Sequence, residues 1–451
     1  MAINSTCLTS STNSTNSTIA KVFDHSQGKI KGGKVLNPYK VIKEIGFERL
    51  AGTDGEKKAT EILTNYLKSF GLKPKLESFE LVSFEPGKAT LTVEGKEFEI
   101  QPFGLNEDTD IYAELLYLDN PDVIIYNKAA FKGKIILSFG YSRNLMLALK
   151  ENEVAAYIAV GNPERKAPSW SHRQKSFKDG YVPSATIKHE DGIKLMKYSG
   201  KKAKLKIIQT VKNLKANNIV VDIKGKGIDD NLTLVVAHYD SVAHCAGSSD
   251  NGGGTVTLLK VAEHFSRNQP DRDLRIVFFS GEELGLLGSQ AFVKKHLKEL
   301  KKRAGLVVNV DISGDAIGFD TTMVLGTKEL LGYFDGVTKE LGIAFKTSLS
   351  IFSSDCMPFS VYEIPSVNIS RRGGKGNFYI HTPDDIPKHV TKQGFENTIK
   401  ATINFLDRVL NAKIYPVKKE IDECLKEKIE KYLWNLTLEK PELHWKPKYK
   451  K

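Results

Sequence analysis

Cysteine is scarce in this 451-residue chain: Cys7, Cys245, Cys356 and Cys424 stand alone, with no Cys-x-x-Cys pair among them. That excludes a disulfide framework, a cysteine-built structural metal site and a dithiol redox couple, and it favours a reducing compartment. Long apolar runs are missing too. No segment approaches the roughly 20 apolar residues needed to span a bilayer, so a soluble chain with no membrane partner is expected. The start, "MAINSTCLTSSTNSTNSTIAK", has neither the basic n-region nor the apolar h-region of a signal peptide. Its Asn-Ser-Thr triplets match a glycosylation acceptor only if the chain is exported, and the expected location is cytoplasmic. A stripe of one charge is also absent. The net charge of +12 comes from 66 Lys and Arg against 54 Asp and Glu, with lysines spread through nearly every segment. Such a surface is solvated and gives no nucleic-acid footprint. Only the tail "KPELHWKPKYKK" is denser in basic residues. No internal repeat is found.

What is present divides the chain into several units, as its length requires. Residues 1–34 form a polar low-complexity tail. In "GEKKATEILTNYLKSFGL", Ala59, Ile62, Leu63, Tyr66, Leu67 and Phe70 share one face at helical spacing, and Gly71 suits the C-terminal cap. From 84 to 212 the texture changes to short strands such as "GKIILSF" and "AAYIAV", with a hairpin around Glu94-Gly95, which reads as an inserted smaller β-rich α/β domain. Beyond it strand, loop and helix alternate: "NIVVDIK", "LTLVVAH", a helix over about 255–266, "LRIVFFS", a helix over about 284–296, then "GLVVNVD". This alternation predicts an α/β fold with a mixed, mostly parallel central sheet and helices on both faces, split over 35–83 and 213–412. Residues 413–451 form a basic helical extension around the amphipathic stretch "EIDECLKEKIEKYLW".

In open α/β sheets ligands gather at the carboxyl ends of the strands, and there the metal-competent side chains fall. His238 and Asp240 close the strand "LTLVVAH" in "HYDSVAHCAGSSDNGGG". Residues two apart on an extended backbone face the same way, so one suits a metal ligand and the other its orienting partner. Asp250 precedes Asn251-Gly252-Gly253-Gly254 and a helix, a place that also fits an N-cap. Glu282 and Glu283 follow "FFSG". One can bind a cation while its neighbour moves protons, although acidic residues also simply favour the start of a helix. Asp311 ends "GLVVNVD", and His381 opens the loop "HTPDDIP". Five such side chains at one sheet edge, His238, Asp250, Glu283, Asp311 and His381, point to a metal site.

In this combination the sequence resembles the zinc-dependent exopeptidases of the M28 type, which include bacterial leucyl aminopeptidases and the glutamate carboxypeptidase group. The matching stretches are "HYDSV", "SSDNGGG", "SGEELGLLGS", "NVD", "SSDCMPF" and "HTPDD", with "RLAGTDGEKKATEIL" near the start, over about 35–82 and 213–412. The resemblance implies two zinc ions, with cobalt or manganese as substitutes, bridged by Asp250. His238 and Asp311 would complete one site, Glu283 and His381 the other. Asp240 would support His238, and Glu282 would be the general base acting on a water shared by the ions. It further implies that 84–212 is a protease-associated-like domain and that the partner is a peptide cleaved at its N-terminus. The glycines after Asp250 are expected to let it approach the metals unobstructed.

Three points remain open in the sequence. Arg371, Arg372 and Lys375 lie upstream of His381 and suit a substrate carboxylate, so a carboxypeptidase or dipeptidase is an alternative. Less expected readings are a single-zinc glutaminyl cyclase and a non-catalytic receptor-like module. Cys356 stands where many relatives carry His, and His244 is a spare histidine in the loop after His238. Oligomeric state and side-chain preference cannot be read from the chain.

Overall fold

A largely apolar run has no face to offer solvent, and both "LTLVVAH" and "AGLVVNV" form strands buried at every position. They are neighbours in the middle of an eight-stranded mixed sheet in the computed structural model, which describes residues 35–126, 130–437 and 440–447. The polar tail expected over 1–34 lies outside the described residues.

The sheet begins with β1 (Lys75–Phe84). Seven strands of a second sheet follow before the chain returns: β2 (Lys88–Val93), β3 (Lys96–Pro102), β4 (Thr109–Tyr117), β5 (Ile135–Phe139), β6 (Ala156–Val160), β7 (Ser184–Ile187) and β8 (Lys202–Ile208). The main sheet resumes with β9 (Val211–Ile223), β10 (Leu232–His238), β11 (Asp273–Phe279) and β12 (Ala304–Val310), and ends with β13 (Phe319–Leu325), β14 (Phe345–Leu349) and β15 (Ser366–Arg372). Its spatial order is β1-β9-β11-β10-β12-β15-β13-β14. The central ribbon β11-β10-β12-β15 is parallel, as is β13 with β14, whereas β1–β9, β9–β11 and β13–β15 are antiparallel.

Helices cover both faces. Helix Leu287–Arg303 buries Phe292, Val293 and Leu300 against Leu234 and Val236 of β10 and Val277 and Phe279 of β11. On the other side, helices Asp54–Ser69, Gly252–Arg267 and Lys392–Asn411 pack together. The first of these matches the expected helix, and Gly71 has the left-handed φ of 79° that its cap requires.

β2 to β8 close into a barrel of order β2-β3-β7-β6-β5-β4-β8. Alternate residues such as Leu91, Phe98, Leu115, Leu137, Ile158 and Leu205 fill its interior. The hairpin around Glu94-Gly95 is present, with φ values of 47° and 75°, the positive pair that a two-residue turn favours. The chain enters and leaves the barrel along β1 and β9, paired from Lys75↔Val220 to Phe84↔Val211. An antiparallel pair is the natural base for an insertion, because both of its ends face the same way.

The C-terminal helix Glu423–Thr437, amphipathic as its sequence predicts, packs its apolar face on the rest of the fold. Leu425, Ile429, Leu433 and Leu436 are buried against Leu286, Cys356, Met357 and Val361. A buried Leu or Ile side chain contributes about 1.5–3 kcal/mol, so this helix is part of the folded unit. Among the described residues no helix is long and apolar enough to cross a membrane.

Candidate metal centre

The parallel strands end side by side, and their last residues deliver the site. His238 is the final residue of β10, Asp311 follows β12, and Glu282 and Glu283 come three and four residues after β11. Asp250 sits between β10 and the helix Gly252–Arg267, and His381 in the loop after β15.

These loops are held by buried polar groups. The Arg49 side chain is fully buried and donates to the carbonyls of Ile45 at 2.7 Å, Tyr239 at 2.6 Å and Gly247 at 2.9 Å, and also to Ala246. It thereby ties the segment after His238 to the N-terminal region. Tyr239 in turn donates its hydroxyl to Glu56 Oε1 at 2.6 Å. Asp385 accepts from the backbone N–H of Ser249 at 2.8 Å and of Asp250 at 3.0 Å, one on each carboxylate oxygen. Burial pushes Asp385 up to about 7, against the pull of these two N–H groups.

The N-cap alternative for Asp250 is taken by its neighbour: Asn251 Oδ1 accepts from Gly254 N at 2.7 Å, while its Nδ2 donates to Val310 O at 2.9 Å. The Asp250 carboxylate is thereby left to face the histidines. The glycines meet a packing need at the end of β12. A Cβ on Gly253 would stand 2.3 Å from Ser313 O, and one on Gly254 2.3 Å from Val310 O. They let the first turn of the helix lie flush against the end of β12.

The helix expected to start near 284 begins at Leu287. Gly285 and Leu286 have φ of 116° and 59°, which turns the chain first. The paired glutamates therefore sit in a loop, where Asp240 Oδ1 accepts from Glu282 N and Oδ2 from Glu283 N, both at 3.3 Å. Asp240 Oδ1 lies 3.6 Å from His238 Nδ1, so one carboxylate faces the histidine and holds the glutamate turn.

All seven side chains singled out in the sequence converge. His238 Nε2 is 3.3 Å from Asp250 Oδ1 and 3.4 Å from Asp311 Oδ1. His381 Nε2 is 3.3 Å from Asp250 Oδ2 and 3.3 Å from Glu283 Oε2. The two Asp250 oxygens thus face two different imidazoles, each with a further carboxylate. His238, Asp250 and Asp311 form one group of donor atoms within 4.8 Å of one another, and Asp250, Glu283 and His381 form a second. A third group joins His238 with Glu282 and Glu283.

The electrostatics ask for cations. Burial alone would lower the imidazole of His238, yet Glu282, Asp240, Asp250 and Asp311 together hold it well above its usual range. His381 behaves alike beside Glu283 and Asp250. Burial pushes Glu282 well up; His238 opposes this, but the Glu283, Asp355 and Asp311 carboxylates add to it. Glu283 Oε1 and Asp311 Oδ1 are buried without a hydrogen-bond partner, a costly state for a carboxylate oxygen unless a cation meets it. The imidazole and carboxylate donors, the orphaned oxygens and the shortage of positive charge fit divalent metal ions.

His238, Asp250, Glu282, Glu283, Asp311 and His381 line a cleft of about 270 Å³. The barrel contributes Tyr141, Trp170 and Arg173 to it, and the C-terminal helix Tyr432 and Leu436. A barrel segment also grips the loop of His381. Ser169 N donates to His381 O at 2.7 Å, Arg165 donates to Ile380 O, and Lys166 pairs with Asp384 at 2.9 Å.

Of the basic trio near His381, Arg371 is engaged with Asp320 at 3.1 Å and with Asp315 O at 2.8 Å, and Lys375 lies in a separate hollow with Lys388 and His389. Arg372 lines the cleft. His244 has its N–H on Glu48 Oε2 at 2.6 Å and belongs to none of the three donor groups. Cys356 is fully buried, with Leu286, Met357 and the C-terminal helix around it.

Sequence reasoning left three residues without a role. Arg49 and Asp385 are structural ties whose partners are backbone groups far along the chain, so local spacing carries no trace of them. Asp355, in "SSDCMPF", is fully buried with neither carboxylate oxygen hydrogen-bonded, and burial pushes it up to about 7.

Comparison with known proteins agrees with this architecture. Residues 218–406 match the sequence profile described as peptidase family M28. The chain is 30% identical over 385 residues to aminopeptidase YwaD of Bacillus subtilis, covering 80% of this chain and 81% of that one. Leucine aminopeptidase 2 of Trichophyton rubrum is 25% identical over 341 residues, 70% of this chain and 67% of its own length. Among solved structures, BSAP, a zinc aminopeptidase from Bacillus subtilis, shares the fold with a TM-score of 0.70 at 23% identity, over 85% of this chain and 98% of that one. On the extent of the match to YwaD, the match to the M28 profile and the shared fold, this chain belongs to peptidase family M28.

Proposed function

We propose that the protein is a dinuclear zinc aminopeptidase that removes N-terminal residues from peptides. The observation that carries this reading is the split of Asp250 between His238 and His381 at 3.3 Å each. Asp250 would be the ligand common to both ions, with His238 and Asp311 holding one and Glu283 and His381 the other. The donor set suits zinc, with cobalt or manganese as substitutes; the names borne by YwaD and BSAP support the activity, and that of BSAP the metal. When bound, the ions would lower the pKa of a water molecule and polarise the scissile carbonyl.

The chain's own residues supply the rest. Glu282 is the general base: its carboxylate takes the proton of the attacking water and hands it to the leaving amine nitrogen. Asp240 holds the Glu282 and Glu283 N–H groups at 3.3 Å and so fixes where that carboxylate stands. In the same reading 84–212 is an inserted, protease-associated-like domain whose Tyr141 and Trp170 help keep bulk water from the cleft.

The test is substrate polarity with metal content. Leucyl p-nitroanilide should be cleaved by protein carrying two equivalents of zinc, and the N-acetylated anilide refused. Cleavage of the acetylated compound alone would overturn the reading.

The barrel's grip on the His381 loop gives a second expected result. Arg165→Ala removes the donor to Ile380 O. Residues that hold metal ligands typically contribute 10–100-fold to metal affinity, so one zinc of the pair should bind about tenfold more weakly in competition with a chelator. The other should be retained.

A further inference from the structure

Two guanidinium groups line the cleft, and among the described residues neither is in an ion pair. Arg372 is half-buried at the end of β15, with its guanidinium 5.3 Å from the centroid of the Phe352 ring and its Nε 3.4 Å from Ser370 Oγ. Its neighbour Arg371, by contrast, is committed to Asp320. Arg173 comes from the barrel, and its Nε is buried without a hydrogen-bond partner. It reaches the turn that carries Glu282 and Glu283: a Cβ on Gly285 would lie 3.4 Å from Arg173 Nη1. Both arginines share the cleft with the proposed metal ligands.

A guanidinium is shaped to bind a carboxylate with two parallel N–H groups. The carboxylates of Asp250, Glu283 and Asp311 face the imidazoles and not these guanidinium groups, which leaves both arginines open to a carboxylate brought by the substrate. We propose that Arg372 and Arg173 form a receptor for a substrate carboxylate beyond the scissile bond. The idea rests on the peptidase reading above and names its substrate class: short peptides whose leaving portion carries a negative charge. That charge is either the free C-terminal carboxylate or an acidic side chain. One arm belongs to the sheet and the other to the barrel, which makes the barrel a determinant of specificity.

The test compares kcat/KM for Leu-Gly against Leu-Gly-amide, and for Leu-Glu-amide against Leu-Gln-amide, in the wild type and in Arg372→Met and Arg173→Met. A ratio within each pair divides out any general loss of activity. The charged member of at least one pair should be preferred about tenfold or more, and each substitution should bring that preference down several-fold. The pair that responds identifies the source of the carboxylate. Wild-type indifference in both pairs, or a preference that survives both substitutions, would overturn the proposal. If the Met variants fold too poorly to assay, inhibition of wild-type anilide cleavage decides: glycine should inhibit more strongly than glycinamide, or glutamate more strongly than glutamine, and equal inhibition within both pairs would overturn it. Leucyl p-nitroanilide, which has no carboxylate, separates the two failures. An anilide cleaved alongside charge-blind peptides sinks only the receptor, whereas no cleavage of either sinks the peptidase reading.

Discussion

Glu282→Gln should lower kcat for leucyl anilide by about 10²–10⁴-fold, the range a positioned general base contributes, with both equivalents of zinc still bound. The amide keeps the size and backbone of glutamate but has no lone pair of comparable basicity. The two N–H groups that Asp240 holds belong to the main chain, so the turn should survive the change. Glu282 also lies in a donor group with His238 and Glu283, and the experiment separates a proton-transfer role from a ligand role: unchanged metal content with lost turnover marks the base. Metal loss in parallel with activity would instead make Glu282 a ligand. Retention of full turnover would remove it from the mechanism.

Asp250→Ala should be more severe, because it takes one donor from each of the two groups at once. Activity should fall to background and zinc content from two equivalents to at most one. A thermal scan gives an independent reading. A ligand that binds only the folded state stabilises it by about 4 kcal/mol when present at 1,000 times its Kd, so zinc should raise the melting temperature of the wild type by several degrees and that of the variant by little. Asp311→Ala, which touches only one group, should retain part of the rise. Two equivalents of zinc in Asp250→Ala would show that this carboxylate does not join the sites.

The catalytic sheet was legible because its signals are local. β10, β11 and β12 are apolar runs too short for helices, each followed by a turn, and the rule that ligands gather at strand carboxyl ends put His238, Glu282, Glu283 and Asp311 at one edge. The start of helix Leu287–Arg303 was misplaced by three residues because Leu286 adopts a left-handed φ that its side chain does not advertise. The hairpin and the strands in "GKIILSF" and "AAYIAV" were visible in the insertion, but not its closure into a barrel, since β2 meets β8 and β3 meets β7 across about 100 residues of sequence. The grip of Arg165, Lys166 and Ser169 on the His381 loop is equally silent in sequence. So are Arg49 and Asp385, whose partners are main-chain atoms with no identity to read. The C-terminal helix showed its apolar face but not what would cover it.

That grip ties the barrel to the loop that carries His381. His381 hangs from a main-chain N–H of Ser169 at 2.7 Å, so a rocking motion of even an ångström would drag an imidazole with it. With zinc bound as proposed, barrel orientation and zinc retention would form one linked equilibrium, and by reciprocity anything that braces the barrel would tighten the ion while the ion braced the barrel in return. An occupied centre is thus also a latch.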